Sequence, residues 1–444
     1  MAENMSTSFE GLKQRVKNHF SNIPEKRQET SISGDSLINP ACQICNSEKM
    51  HKFLSLGSHP NPDGFLTEET IKNPEPYFPL DLFFCENCSL VQLGYSPDPK
   101  LLFTDNFIYT TGSNKGLVDD FHNLVEYIMR RFNPHKEDLA IDIGGNDGTL
   151  LENYLPYSVR VLNVDPSKAS EIAVKKNIPT VRDFFNEETA KKILREYGKA
   201  KIITATNVFA HVRELDSFMK GLKIALSQGG VFIEESGYVK DLLSEREYDS
   251  IYAEHLRYYS LKSLVHLFNK YDMDVFDAER IHTHGGSLRV FTCNKGEFPI
   301  SQNVSWILKE EENFGLYSKI IYNDFAEKVF ENRNRLKDIL FKIKEEGGRI
   351  VGIGAPAKGN TLLNFCKIGR ETIDCLLEYR SLKIGTYSPG MHIPVKDESF
   401  LFVEPIPSHA LLLAWNIKDI IIPKLREKGF EGKFIIPVPV PYIL

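Results

Sequence analysis

The stretch Leu139-Ala-Ile-Asp-Ile-Gly-Gly-Asn-Asp-Gly-Thr-Leu-Leu151 constrains this chain more than any other. An apolar run that reads as a buried strand leads into two glycines, a polar turn and then a helical pattern. Without Cβ atoms, Gly144, Gly145 and Gly148 let the backbone pass close to a ligand. The next strand pattern, Val159–Val164, ends on Asp165. An acid about 20 residues after a glycine turn is placed to accept the hydroxyls of a ribose. The stretch therefore predicts a nucleoside pocket at the carboxyl ends of parallel strands. It is not a phosphate loop of the Gly-x-x-x-x-Gly-Lys-Ser/Thr kind, and it lacks the full Gly-x-Gly-x-x-Gly of a dinucleotide fold. Asp142 and Asp147 would repel a pyrophosphate but suit a ligand that carries an ammonium or sulfonium. The turn thus favours S-adenosylmethionine over NAD, with Asp142, Gly144, Asn146, Asp147 and Asp165 as the cofactor-binding residues.

Strand and helix patterns alternate beyond this turn. Strands are predicted at Lys201–Thr206 and Gly230–Glu235, and helices at Ser167–Lys176, Glu187–Tyr197 and Leu215–Leu226. Leu117, Phe121, Leu124, Val125 and Ile128 mark one face of a helix that precedes the turn. A helix at Leu261–Tyr271 and strands near Met273–Ala278 and Leu288–Cys293 complete a doubly wound α/β unit. Asn207-Val-Phe-Ala-His211 ends one of its strands, and Asn207 is added to the cofactor set. A long insertion, roughly 237–259, carries Tyr238, Tyr248, Tyr252, Glu254, His255, Tyr258 and Tyr259. Connections of that length are commonly functional. A histidine suits proton removal near neutral pH, and a tyrosine hydroxyl or second histidine suits an oxyanion. His255, Glu254, Tyr252 and His211 are the catalytic candidates.

Upstream, Cys42-Gln-Ile-Cys45 and Cys85-Glu-Asn-Cys88 match the two knuckles of a four-thiolate zinc site. Four protein thiolates leave no open position, so the metal is expected to be structural. His51 and His59 read as surface histidines. Downstream, Leu316 to Ile343 show helical spacing without a sustained heptad. The stretch Gly347-Gly-Arg-Ile-Val-Gly-Ile-Gly-Ala-Pro-Ala-Lys-Gly-Asn360 is a second strand, glycine turn and helix start. Here the turn carries Lys358 and no acid, which suits a pyrophosphate. Arg380 and Lys383 are candidates to complete that anion site. Tyr109 and Ser113, ahead of the first turn, are candidates to line a pocket.

The chain divides into an extension (1–37), a zinc-binding lobe (38–100), an S-adenosylmethionine-binding lobe (101–296), linking helices (297–346) and a second Rossmann-like lobe (347–444). A composition of 42% hydrophobic and 26% charged residues supports cores of normal size. The net charge of −6, with no basic block, argues against nucleic acid as a partner. No apolar run approaches the ~20 residues that span a bilayer. The polar N-terminus lacks the apolar segment of a signal peptide. These features predict a cytoplasmic protein with reduced thiols and no membrane association. Because each lobe has its own apolar elements, a monomer or weak homodimer is expected.

From about Cys42 to its end, the chain resembles the three-domain sugar C-methyltransferases that act on nucleotide-linked keto-deoxysugars. The resemblance is carried by the two Cys-x-x-Cys pairs, Cys88-Ser-Leu-Val-Gln-Leu93, Gly145-Asn-Asp-Gly148, Asn207 with His211, Tyr252-x-Glu-His255 and His284-Gly-Gly-x-x-Arg289. Gly354-x-x-x-Lys-Gly-Asn360, Pro389-Gly-x-His-Ile393 and Leu413-Ala-Trp-Asn416 extend it through the last lobe. It implies methylation at C3′ of a 4-keto sugar, with His255 as base, Tyr252 and Glu254 beside it, and His211 near the keto oxygen. It implies a nucleotide-diphosphate sugar as substrate, held by Tyr109, His284, Lys358, Asn360, Arg380 and Lys383. Three motifs depart from the pattern. Ser236-Gly-Tyr238 stands for Asp-Pro-Tyr, His284-Gly-Gly-Ser287 for His-Gly-Gly-Glu, and Glu378-Tyr-Arg-Ser381 for Asp-Arg-Asn-Pro. The competing expectations are methylation of an oxygen, a nitrogen or a non-sugar carbon, a NAD-dependent enzyme, and a non-enzymatic zinc-ribbon adaptor.

Overall fold

A computed structural model describes residues 37–102, 110–379 and 381–444, without the side chains of Leu37, Ile38, Lys100 and His284. The extension up to residue 36, Tyr109 and Arg380 therefore lie outside the described residues. In the zinc lobe, β1 (Met50–Pro60), β2 (Tyr77–Cys85) and β3 (Val91–Leu93) pair antiparallel. Phe78, Leu80, Leu82 and Phe84 of β2 are buried while the residues between them are not. This is the period-two pattern of a strand with one face on a core.

The central lobe begins with α1 (Lys115–Phe132), which buries Leu117, Phe121, Leu124, Val125 and Ile128, the face marked by the sequence. The Asn114 side chain caps it by accepting from the Gly116 and Leu117 amides. Parallel strands follow: β4 (Leu139–Ile143), β5 (Arg160–Val164), β6 (Thr180–Val181), β7 (Ala200–Thr206) and β8 (Leu226–Gly237). They alternate with α2 (Glu187–Tyr197) and α3 (Leu215–Ala225). The insertion then supplies β9 (Arg257–Tyr258), followed by α4 (Leu261–Lys270), β10 (Met273–Ile281) and β11 (Ser287–Asn294). The central sheet has the order β10-β11-β8-β7-β4-β5-β6, with β11 antiparallel to both neighbours.

Two details depart from the sequence reading. The edge strand β6 is too short to show alternation and was not predicted. The helix after the glycine turn is a single turn, Thr149–Glu152, followed by a 3-10 turn at Leu155–Tyr157. Pro156 has no amide hydrogen with which to continue an α-helix there.

Helices α5 (Gln302–Phe314) and α6 (Lys319–Glu345) lead to the last lobe. That lobe contains β12 (Ile350–Ile353), α7 (Ala357–Cys366), β13 (Leu376–Glu378), β14 (Val395–Asp397), β15 (His409–Leu412), α8 (Lys418–Glu427), β16 (Lys433–Ile436) and β17 (Tyr442–Ile443). Its sheet order is β14-β13-β12-β15-β16-β17, parallel except for the last pair.

Strand β9 pairs with β3 and not with the central sheet, so the zinc lobe's sheet reads β9-β3-β2-β1. One apolar core runs from Leu54, Phe78 and Phe84 through Tyr248 and Ile251 of the insertion to Val329 and Leu340 of α6. It continues into Leu363 and Leu411 of the last lobe. The apolar elements of the zinc lobe and of the last lobe thus meet in one core. A small sheet with one apolar face needs a second layer to cover it.

Glu311 of α5 is wholly buried and ties the linker to the central lobe. It accepts from the Leu261 amide at 2.5 Å, the Lys262 amide at 3.2 Å, the Tyr238 hydroxyl at 3.0 Å and the Tyr317 hydroxyl at 2.8 Å. Truncation strands these donors, so Glu311→Ala is expected to lower unfolding free energy by roughly 2–4 kcal/mol in chemical denaturation. Glu311→Gln keeps one acceptor oxygen and should lose less.

Candidate active site

At the first glycine turn, Gly144 (φ +68°), Asn146 (φ 50°) and Gly148 (φ +78°) all adopt left-handed backbone. The carboxylate of Asp165, at the end of β5, fastens this turn. Its Oδ2 accepts from the Asn146 amide at 2.9 Å, and its Oδ1 accepts from the Ser167 amide and hydroxyl at 2.7 and 2.5 Å. Asp147 Oδ2 accepts from the Gly112 amide at 2.8 Å, and Asn146 Oδ1 from the Thr111 amide at 3.1 Å. The segment before α1 is therefore drawn over the turn. Asp142 is buried and accepts from the Thr204 hydroxyl at 2.6 Å. Burial pushes its carboxyl up to about 7, the Thr204 hydrogen bond opposes that shift and the charge of Asp165 adds to it. Three carboxyls crowded at one turn disfavour a phosphate and fit the sulfonium and ammonium of S-adenosylmethionine. Asn207, also left-handed at φ 57°, donates its amide to Glu235 O at 2.7 Å at the end of β7.

His211 and His255 meet beyond the ends of β7 and β8. Their rings are 4.9 Å apart, and the Tyr252 ring lies 4.0 Å from that of His255. The His255 Nδ1 is 3.0 Å from Ser250 O. A carbonyl only accepts, so Nδ1 carries the hydrogen and Nε2 is the basic nitrogen. Burial, with a smaller effect from His255, holds His211 down at about 3, so His211 is a neutral imidazole at physiological pH. Glu254 is buried and its Oε1 has no hydrogen-bond partner. Burial raises its carboxyl well above the usual range, the charge of Asp63 adds to the rise, and Lys383 opposes it. Other tyrosines of the insertion serve packing. Tyr238 binds Glu311, the Tyr248 hydroxyl donates to Asn332 Oδ1 at 2.8 Å, and Tyr259 stacks on Phe209 at 5.3 Å.

The second glycine turn differs from its sequence reading. The Ala355 amide donates to Glu378 Oε1 at 2.6 Å, so an acid does sit at this turn. Lys383 Nζ is 3.0 Å from Asp63 Oδ1 and donates to Ala355 O at 2.9 Å. Lys358 Nζ lies 4.4 Å from the Trp415 ring, whose Nε1 donates to Asp249 Oδ2 at 2.6 Å. The carboxylates of Glu247 and Asp249 both feel the Lys358 charge. Asn360 Nδ2 donates to Pro62 O at 2.7 Å, while its buried Oδ1 has no partner. His284 falls in the 3-10 turn Thr283–Gly285. Next to it, a Cβ on Gly286 would come within 2.4 Å of Asp241 Oδ2.

Asp63 and Asp249 were not singled out by the sequence, and Glu378 only as the first residue of the motif that stands for Asp-Arg-Asn-Pro. Glu378 had a signal, since it follows the second glycine turn at a strand end as Asp165 follows the first. Asp63 had none, because its turn is brought to Lys383 only by the packing of the zinc lobe.

The four thiols of Cys42, Cys45, Cys85 and Cys88 lie within 4.8 Å of one another. Cys42 and Cys88 sulfurs are 3.4 Å apart, and those of Cys45 and Cys85 3.6 Å. Tetrahedral zinc with Zn–S bonds near 2.3 Å needs sulfur separations of about 3.8 Å. The cluster therefore fits zinc, with no side left open for a substrate. His59 is buried, not on the surface, and bonds Leu56 O at 2.9 Å, while His51 pairs with Asn323 Oδ1 at 2.8 Å. Among the described residues, no helix is long and apolar enough to cross a membrane.

Family models agree with this division of labour. A zinc-binding domain matches residues 42–103, a methyltransferase domain 119–277 and a C-methyltransferase C-terminal domain 282–439. The C-methyltransferase NovU of Streptomyces niveus is 29% identical over 408 residues, which cover 91% of this chain and 96% of NovU. Among solved structures, an Anabaena variabilis SAM-dependent methyltransferase is 20% identical with a TM-score of 0.32, covering 39% of this chain and 84% of its own. The 1,6-didemethyltoxoflavin-N1-methyltransferase of Burkholderia thailandensis, solved with S-adenosylhomocysteine, is 13% identical with a TM-score of 0.32, covering 41% and 80%. With these family models following one another from Cys42 to Pro439, and a relative matched over nearly its whole length, the chain is an S-adenosylmethionine-dependent methyltransferase that is similar throughout to C-methyltransferases with a zinc-binding domain.

Proposed function

We propose that this enzyme methylates C3′ of a nucleotide-linked 4-keto-deoxysugar through an enolate. The observation that carries the reading is the convergence of His211, Tyr252 and His255, with Glu254 beside them, beyond the strand ends that hold the cofactor turn. The relative NovU is named as a C-methyltransferase, which places the new bond on carbon. Carbon is a poor nucleophile until a proton next to a carbonyl is removed.

S-adenosylmethionine supplies an electrophilic methyl group. His255 Nε2 takes the C3′ proton, and the C–H electron pair moves into the sugar's C3′–C4′ bond as the ketone becomes an enolate. His211, a neutral N–H donor, and the protonated Glu254 and Tyr252 hold the oxyanion. When bound, S-adenosylmethionine would supply the methyl group and leave as its thioether, and the ketone would re-form as the enolate carbon is methylated. Asp165 Oδ2, which carries a single hydrogen bond within the turn, has an acceptor position for a ribose hydroxyl. Gly144, Asn146, Asp147, Asp142 and Asn207 shape the rest of the cofactor pocket. Lys358, Asn360 and Lys383 serve the nucleotide, with Tyr109, His284 and Arg380 as further substrate contacts. Because Lys383 already faces Asp63, and Lys358 the Asp249 side, a diphosphate there displaces carboxylate partners and does not fill a bare cationic site.

Calorimetry should show S-adenosylmethionine and a nucleoside diphosphate binding at separate sites, and binding of neither would remove the reading. His255→Ala should lower turnover by more than about 100-fold while cofactor affinity stays near wild type. An equal loss of cofactor affinity would take His255 off the acceptor side. Deuterium at C3′ of a 4-keto sugar should wash out into solvent with wild type and stay in place with His255→Ala. Because His211 remains neutral above pH ~4, its replacement by Asn should lower kcat about tenfold without moving the acid limb of the pH–rate profile.

A further inference from the structure

The Cys88-Ser-Leu-Val-Gln-Leu93 stretch has no part in the chemistry above, yet its glutamine is one of the most completely enclosed polar side chains. Gln92 is 0% exposed. Its Oε1 accepts from the Gln43 amide at 2.8 Å, and its Nε2 donates to Ala41 O at 3.0 Å. Those residues flank Cys42, so the side chain grips the first thiolate knuckle. The backbone of Gln92 is in register with Arg257 across the β3–β9 pair.

Arg257 is buried in turn, at 3% exposure. Its guanidinium donates to Val212 O and, at 3.3 Å, to Arg213 O, the two carbonyls that follow His211. Burial lowers its pKa, and the neighbouring Tyr259 hydroxyl opposes that shift. Leu256 connects the same segments through the backbone. Its amide donates to Ala210 O at 3.0 Å, and its carbonyl accepts from the Leu93 amide at 2.9 Å. His211 and His255 are therefore each one residue away from a ladder that ends in the zinc lobe. From the other side, Lys270 Nζ at the end of α4 donates to Ile44 O at 2.9 Å within the first knuckle.

We propose that Gln92 and Arg257 are positioning residues that make the His211–His255 geometry depend on an intact four-thiolate centre. Gln92 holds both residues that flank Cys42, and its strand pairs in register with Arg257. The Arg257 guanidinium fixes the backbone that carries His211, and Arg257 lies two residues after His255. Loosening of the knuckle is thereby passed to the paired imidazoles. The inference rests on the catalytic reading of those histidines, but it can be tested without substrate.

The test uses the zinc-loaded full-length protein, wild type and the variants Gln92→Leu and Arg257→Lys. Zinc release to a colorimetric chelator, histidine-ring NMR signals assigned with His211→Asn and His255→Ala, calorimetric affinity for S-adenosylmethionine, kcat and KM are measured. Gln92→Leu is expected to speed zinc release about tenfold or more, shift both histidine signals and lower kcat by about tenfold. Arg257→Lys keeps a positive charge but cannot bridge both carbonyls, and should shift the signals and lower kcat with zinc still bound. Cofactor affinity should stay within about twofold in both. Faster zinc release with unmoved histidine signals in Gln92→Leu would overturn the proposal, as would unmoved signals in Arg257→Lys. If Gln92→Leu fails to fold, Arg257→Lys decides alone. Full activity in His255→Ala would instead remove the catalytic reading, while the histidine signals would still report the coupling.

Discussion

His255 stands where two lobes share one sheet. The strand that follows it, Arg257–Tyr258, leaves the central lobe and becomes the edge of the zinc lobe's sheet. Most of the architecture follows from that exchange. The insertion has to leave β8, cross to β3 and return to α4, which explains why it is long. On the way it presents Tyr248 and Ile251 to the core shared by the zinc and last lobes. Pairing of strands so distant in sequence is entropically costly, and the buried apolar surface around the insertion offsets that cost.

Electrostatics then separates the two α/β units. The first turn gathers Asp142, Asp147 and Asp165, and burial pushes the Asp142 carboxyl up to about 7. Around the second, Lys358 and Lys383 face the carboxyls of Asp249, Glu247 and Asp63, so both ammonium groups already have acidic neighbours. Glu254 feels both Asp63 and Lys383, and burial raises its carboxyl well above the usual range. Around His255, burial thus shifts both His211 and Glu254 toward their uncharged forms.

The local parts of this arrangement were legible in the sequence. Leu117 to Ile128 carry a helical period, Leu139–Ile143 an unbroken apolar run, and the cysteine pairs a ligand spacing, each within a few turns of chain. The convergence of His211 with Tyr252 and His255 could be anticipated because both clusters follow strand ends of one sheet. What stayed hidden depends on register between distant segments. Two-residue strands such as Thr180–Val181 and Arg257–Tyr258 have no periodicity to read. His59 looks like an ordinary surface residue until β1 packs it beneath the shared core. Asp63 reaches Lys383 across more than three hundred residues of chain. Glu378, legible as part of a departing motif, meets the Ala355 amide only because β12 and β13 lie side by side.

That parallel between Asp165 and Glu378 has a kinetic and thermodynamic side. In each unit a carboxylate from the end of the second strand accepts the turn's amide hydrogen, at 2.9 Å from Asn146 and 2.6 Å from Ala355. The turns are held by the protein's own groups, so their backbone is ordered during folding and not at the moment of ligand capture. A pocket shaped in advance loses little conformational entropy on association, and it needs no slow rearrangement to admit its ligand. Both glycine turns are in this sense set by the fold itself.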